Sequence, residues 1–196
     1  MIKHAFDITL AFLGLFVLSP LFLLVALLIK LDSPGPVFFR QERMGRGFRP
    51  FRIYKFRTMV HDASRKGGAI TFGADPRITK IGRALRKAKI DEFPQLLNVL
   101  RGEMSFVGPR PEVRQYVELF RADYEEILQV LPGITDLASL KYRHEAELLA
   151  RFENPEEEYV RHVLPEKMKL AKEYVKQSSF FFDITVILKT LLTLFQ

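Results

Sequence analysis

The sequence predicts a mostly helical α+β chain, with an apolar N-terminal membrane helix followed by one small domain. Three observations carry that expectation. Residues 8–29 form an uncharged run of about 22 residues, rich in Leu and Phe, which as a helix reaches roughly 33 Å, enough to cross a bilayer core. Residues 37–59 alternate apolar and basic side chains around Gly45 and Gly47, the pattern of two short strands joined by a turn. Further along, apolar residues recur at helical spacing through several segments.

Composition narrows the functional classes. With 196 residues, 48% of them hydrophobic, the chain has material for one domain plus attachments. A net charge of +7 and a pI near 9.7 point to anionic partners: nucleic acid, acidic headgroups or phosphorylated small molecules. The absence of cysteine excludes disulfides and thiolate metal sites, and the four histidines lack metal-ligand spacing. Neither a dinucleotide-binding glycine pattern nor a Walker-type phosphate loop is present.

The N-terminal run fits a removable signal peptide poorly, because it is long and Lys30 follows it directly. Ser19-Pro20 lies near its middle. Proline frees the carbonyl four residues earlier, and in hydrocarbon that group needs a partner, for which the Ser19 hydroxyl is a candidate. Lys3 precedes the run, and Lys30, Arg40, Arg43 and Arg46 follow it. Positive flanks on both sides are best satisfied if both are cytoplasmic, yet kinked spanning helices are common. A spanning helix and a re-entrant hairpin fit the residues equally. Asp7 is expected at interface depth, paired with Lys3. Residues 31–36 break the helix and mark its exit.

In the predicted hairpin, Phe51, Ile53 and Phe56 are expected to be buried while Arg52, Lys55 and Arg57 face outward. That basic surface suits a headgroup or substrate phosphate at least as well as nucleic acid. Residues 61–77 form a polar loop with Gly67-Gly68 and Asp75-Pro76, and residues 78–89 a short helix. Residues 113–130 read as one helix, 131–135 as a turn, 153–158 as an acidic helix start after Asn154-Pro155, and 164–177 as a helix. The apolar tail, which carries Asp183 and Lys189, fits a helix in the membrane interface or a core helix equally well.

The stretch that organises the chain is residues 83–112. Asp91 and Glu92 stand side by side behind Arg86, Lys87 and Lys89, and Phe93, Leu96, Leu97, Val99 and Leu100 follow at helical spacing. A helix is expected to start at the acidic pair, with Pro94 in its first turn. Such a cationic helix start can seat a phosphate and is expected to lower the pKa of Asp91, keeping it ionised. An ionised carboxylate there can coordinate a divalent cation or attack phosphorus; helix capping alone also accounts for the local pattern. Arg143 is either a solvated charge or a second phosphate contact.

These motifs in this order resemble the monotopic phosphoglycosyl transferases, the bacterial sugar transferases that start polyprenyl-linked glycan assembly. The resemblance covers nearly the whole chain. It rests on Ser19-Pro20, D-S-P-G-P-V-F-F-R-Q-E-R-M-G at 32–45, Y-K-F-R-T-M at 54–59 and D-P-R-I-T at 75–79. D-E-F-P-Q-L-L-N-V-L-R-G-E-M-S-F-V-G-P-R-P-E at 91–112, L-P-G-I-T at 131–135 and Phe182-Asp183 complete it.

The resemblance implies transfer of sugar-1-phosphate from a UDP-sugar to undecaprenyl phosphate with release of UMP. Asp91 would be the nucleophile of a ping-pong course through a phosphosugar–aspartyl intermediate, and Glu92 would support the metal or handle a proton. Mg²⁺ held at Asp91 and Glu92 is implied as cofactor. Arg86, Arg110 and Arg143 match positions that would surround the phosphates and nucleotide, with Pro109 and Pro111 flanking Arg110 in the matching turn; basic Lys55 and Arg57 are expected to help hold either phosphate. It also implies a re-entrant helix–break–helix anchor at Ser19 and Pro20 over residues 1–30. A cytoplasmic catalytic domain over 31–196, with its short β-hairpin and interfacial amphipathic helices, would then sit on the inner membrane. UDP-sugar, undecaprenyl phosphate and membrane lipids are the expected partners, a homodimer is a candidate assembly, and nucleic acid is not expected. The chain has the look of the family's minimal form. After Gly-Ile-Thr it carries Asp136-Leu137-Ala138-Ser139 where many members have Gly and an aromatic, which leaves the sugar open. A catalytically silent nucleotide-sugar or lipid-phosphate binder is the competing class.

Overall fold

The structure is a computed structural model that describes residues 2–63 and 75–194; Gly67 and Gly68 lie outside them. Its first element, helix α1 (Ile2–Asp32), is long and apolar enough to cross a membrane. One stripe of α1, through Asp7, Ala11, Val25 and Ile29, packs on the rest of the chain, while Phe12, Phe16, Val17, Leu23 and Leu27 on other faces are exposed. Gly14 lets the Leu96 side chain come close, since a Cβ there would stand 3.3 Å from it. The expected break at Ser19-Pro20 is not seen, because the helix continues through Pro20. The reason is local. The Ser19 hydroxyl donates to the Phe16 carbonyl at 2.8 Å, which is the acceptor that proline strands.

Strands β1 (Phe38–Met44) and β2 (Pro50–Phe56) pair antiparallel across a Gly45–Arg49 turn, with Arg40 opposite Tyr54. The hairpin was expected, and Phe51, Ile53 and Phe56 are buried as expected, but not all of its basic residues face outward. Arg52 is exposed, Lys55 is half-buried and Arg57 is buried. Arg57 lies beyond the strand end and turns back to donate to Ser33 O at 2.6 Å and Pro34 O at 2.8 Å, clamping the exit of α1.

Helix α2 (Lys80–Lys87) is capped by Thr79, whose hydroxyl accepts from Gly82 N. Lys89 then adopts a left-handed φ of 56° and turns the chain into a 3₁₀ helix, Ile90–Gln95, which leads into α3 (Leu96–Leu100). Asp91 therefore sits inside a first turn and does not cap one.

Beyond α3, the short strands β3 (Ser105–Val107) and β4 (Gly133–Thr135) pair in parallel. A Cβ on Gly108 would meet Leu131 O at 2.3 Å, so glycine is what allows these backbones to touch. The helix expected over 113–130 is two, α4 (Arg114–Leu119) and α5 (Arg121–Ile127), because Phe120 leaves helical geometry. Helices α6 (Leu137–Lys141), α7 (Glu145–Leu149), α8 (Pro155–Glu158), α9 (Leu164–Gln177) and α10 (Phe180–Leu194) follow. One core joins α4, α5 and α9 through Tyr116, Tyr124, Ile127, Leu164 and Met168. Two others seat α1, through Ala11 against Leu96 and Val99, and through Val25 and Ile29 against Phe56 and Leu85.

Asp7 does not pair with Lys3 as expected. It accepts from the Ser105 hydroxyl at 2.8 Å, while Lys3 donates to Asp183 of α10, to Val107 O and to the Tyr174 hydroxyl. Tyr174 in turn donates to Asp183 at 2.7 Å. The tail helix packs as a core helix on one side, where Val186 and Asp183 are buried, and leaves Phe181, Leu188 and Leu192 exposed on the other.

Candidate active site

The left-handed turn at Lys89 places both carboxylates of the 3₁₀ helix under the β2 strand. Glu92 is the anchored one. Its Oε1 accepts from Lys55 Nζ at 2.6 Å and from Arg110 Nη2 at 2.8 Å. Burial pushes the Glu92 carboxyl up, but Arg110 and Lys55 more than reverse that and hold it well below the usual range. The same contact raises Arg110, while burial outweighs Glu92 at Lys55 and lowers it.

Asp91 is only 9% exposed, yet it accepts no hydrogen bond from the other described residues and forms no ion pair with them. Burial and the neighbouring Glu92 charge raise its pKa; Lys55, Arg86 and Lys89 oppose the shift without reversing it. This corrects the expectation that the cations lower it. They are present, but Lys55, the strongest of them, is turned to Glu92, and a desolvated carboxylate becomes more basic.

Of the other predicted residues, Arg86 points at the site's margin, donating through Nε to Thr58 Oγ1 at 2.9 Å. Its charge acts on Asp91. Pro109 and Pro111 are buried and hold Arg110 between them. Pro109 O accepts from Gly133 N at 3.0 Å, and Pro111 O accepts from Arg43 Nη1 at 3.2 Å. Arg57 is spent on the end of α1, as described. Arg143 lies in the turn after α6 and makes no hydrogen bond or ion pair among the described residues. The structure thus gathers Asp91, Glu92, Lys55, Arg86 and Arg110, ties Arg57 to the end of α1, and joins Arg143 to none of them by a hydrogen bond or ion pair among the described residues.

Three supporting residues escape sequence reasoning. Asp136 caps α6 and also accepts the Arg110 backbone N–H at 3.1 Å, fixing the turn that carries the guanidinium. Its position as a cap ahead of L-A-S-L-K was the available signal. Asn98 is fully buried and ties β2 to α3, accepting from Tyr54 N at 3.0 Å and donating to Arg52 O at 2.8 Å. Gln95 is buried with its amide nitrogen unpartnered. Nothing local marks either of these in the sequence.

No group of three His, Cys, Asp or Glu among the described residues could hold a metal by itself. A pair of carboxylates still fits Mg²⁺, which commonly takes one or two carboxylates and completes its shell with water and substrate phosphates. Asp91, free of protein partners, suits that demand; the Oε1 of Glu92 is already engaged by two cations.

Comparison with known proteins shows the family. The family model described as bacterial sugar transferase matches residues 1–196. The chain is 37% identical, over 98% of its length, to a UDP-N-acetylgalactosamine-undecaprenyl-phosphate N-acetylgalactosaminephosphotransferase of Aeromonas hydrophila, of which 43% is covered. It is 44% identical over 96% of its length to an undecaprenyl-phosphate glucose phosphotransferase of Komagataeibacter xylinus, covering 35% of it. It is 38% identical over 97% to the UDP-glucose:undecaprenyl-phosphate glucose-1-phosphate transferase of Escherichia coli (strain K12), covering 39% of it. The chain therefore spans well under half the length of these three relatives.

Proposed function

We propose that this chain, which belongs to the bacterial sugar transferase family, transfers sugar-1-phosphate from a UDP-sugar to undecaprenyl phosphate and releases UMP. The observation that carries the reading is Asp91: a buried carboxylate, raised in basicity and free of partners, beside cations that suit phosphate. A carboxylate engaged in structure is paired; one held ready to react is not.

In the first half-reaction an Asp91 oxygen attacks the phosphorus that bears the sugar. The bond from that phosphorus to the UMP oxygen breaks, UMP leaves with the electron pair, and a phosphosugar–aspartyl ester remains. In the second, an oxygen of undecaprenyl phosphate attacks the same phosphorus. The ester bond breaks, the Asp91 carboxylate is restored and a lipid-linked pyrophosphate is formed. Arg110, Lys55 and Arg86 hold charge of the opposite sign around the reacting phosphates, and Glu92 keeps Arg110 and Lys55 in register. Mg²⁺, when bound by Asp91 and Glu92, would supply further neutralisation of the pyrophosphate.

The reading includes monotopic placement on the cytoplasmic face of the inner membrane. It is supported by the way one body holds both ends of α1: Lys3 and Asp7 bond to β3 and α10, and Asp32 accepts from Ile81 N at 3.0 Å. A helix standing across a bilayer would carry that charged body into the hydrocarbon or lose these bonds. In a chain without cysteine, single cysteines at Ile2 and Leu31 should label from the same side of a sealed vesicle; labelling from opposite sides overturns the placement.

The reaction is tested by incubating the full chain with a panel of UDP-sugars, Mg²⁺ and undecaprenyl phosphate. Lipid-dependent UMP release with at least one donor, absent in Asp91→Ala, is expected. Donor binding without release from any of them would favour a silent binder.

A further inference from the structure

Across the hairpin from the acidic pair lies a second cationic arrangement that the reaction does not use. Successive strand residues project to opposite faces, so Tyr54 points away from Lys55 and Glu92. Arg40, directly opposite in β1, lies 5.0 Å from the Tyr54 ring centroid, and Arg101 at the end of α3 lies 4.9 Å from it. Arg101 Nη1 also donates to the Tyr54 hydroxyl at 2.6 Å.

Neither arginine has a carboxylate within ion-pair distance among the described residues. The nearby acids are committed elsewhere: Glu42 to Arg114 at 3.3 Å, and Glu103 to the Asn98 amide at 2.7 Å. Two like charges therefore share one neutral ring, whose quadrupole holds each cation but cancels neither. The ring is itself fixed, because Tyr54 is nearly buried and its backbone N–H is bonded to Asn98.

What lies beside this pair gives the chemistry of its partner. The Tyr54 ring meets Phe38 edge-on at 6.4 Å, Phe38 stacks on Phe56 at 5.6 Å, and Phe56 meets Phe22 of α1 edge-on at 5.1 Å. These rings are interior, with Phe56 fully buried, and they hold the guanidinium pair beside α1, whose Leu23 and Leu27 are exposed. A free anion meets only the guanidinium pair; a molecule with an anionic head and a hydrocarbon body also meets the apolar surface of α1. Guanidinium forks match phosphate oxygens better than ammonium groups do.

We propose that Arg40, Tyr54 and Arg101 form a headgroup site for an anionic phospholipid of the surrounding membrane, seated on the face of the hairpin opposite Asp91. The assignment rests on the membrane association of α1 and is independent of the transfer reaction. It gives the domain a fixed orientation on the bilayer, with α1 as one contact and the headgroup as another.

The test titrates phosphatidylglycerol into nonionic micelles holding the full chain, with no sugar donor, and follows the thermal midpoint by far-ultraviolet circular dichroism. The wild type should be stabilised by phosphatidylglycerol and not by phosphatidylcholine or inorganic phosphate. Arg40→Gln with Arg101→Gln should raise the half-saturating lipid concentration by roughly ten-fold or more. Arg151→Gln with Lys169→Gln, which removes the same charge from an exposed turn and an exposed position of α9, should titrate as wild type. The proposal is overturned if the first pair also titrates as wild type, if the control pair weakens binding equally, or if inorganic phosphate protects as well as the lipid. Should the glutamine pair melt early in micelles alone, Arg40→Lys with Arg101→Lys keeps the charge, and an unweakened titration there overturns the guanidinium site.

Discussion

Two buried acid–base clusters in this molecule are built from similar residues and end in opposite conditions. At the foot of α1, Asp7, Ser105, Lys3, Tyr174 and Asp183 join four elements, and both carboxylates have partners: Asp7 the Ser105 hydroxyl, Asp183 both Lys3 and Tyr174. Under β2, Lys55 and Arg110 converge on Glu92, and Asp91 beside it is left without one. Fully paired clusters fix geometry. A buried carboxylate left unpaired costs stability, and its persistence is explained by what it does when a substrate arrives.

Breaking each cluster should therefore have opposite consequences. The largest effect is expected from Asp91→Asn, which should lower UMP release by about 10⁴-fold or more, as loss of a nucleophile does. The same substitution should raise the melting temperature at neutral pH. The sign follows from linkage. The folded-state pKa of Asp91 is raised above the ordinary 3.8, so the native state binds the extra proton and stability falls as pH rises through that window. Asparagine removes the penalty, and the difference from wild type should vanish in acid below the ordinary value. Equal melting temperatures across the pH range would remove the claim that Asp91 is held at a cost.

Next in size is Asp183→Ala, which removes the carboxylate shared by Lys3 and the Tyr174 hydroxyl and leaves both to the Val107 carbonyl. Chemical denaturation should show a loss of about 2–4 kcal/mol, with UMP release per folded molecule retained. A selective fall in turnover would mean that this cluster is also part of the chemistry.

Glu92→Gln is expected to cost less stability, about 1–3 kcal/mol, because Arg110 and Lys55 are partly solvated. Its contribution is present above the ordinary value of 4.5 and lost as pH falls through the depressed folded value. Wild type and variant should therefore converge in strong acid, and a constant gap would point to packing as the cause.

Much of the fold was legible because it rests on periodicity and punctuation. The long apolar run, the glycine-centred hairpin, the short helix before Lys89 and the Asn154 helix start all signal locally. The β3–β4 pair did not, since strands of three residues are too short to show alternation. The break at Phe120 was hidden by an apolar spacing that continues across it. Arg57 was assigned to the site because it continues the basic pattern of the hairpin; past the strand end that pattern no longer sets direction, and the carbonyls of Ser33 and Pro34 claim it.

The acidic pair was found from the sequence, but not the difference between its members. Cations close in sequence say that a carboxylate will be stabilised without saying which one. That choice is made by Lys55 and Arg110, which lie 37 and 18 residues away and meet Glu92 only in the folded chain.

The most direct test of the central claim is intact-mass measurement of the chain after incubation with a cleavable UDP-sugar and no lipid acceptor. An adduct of one phosphosugar, absent in Asp91→Asn and discharged by undecaprenyl phosphate, is predicted. Lipid-dependent UMP release that persists in Asp91→Asn, or an adduct mapped to another residue, would contradict the assignment of Asp91 as nucleophile.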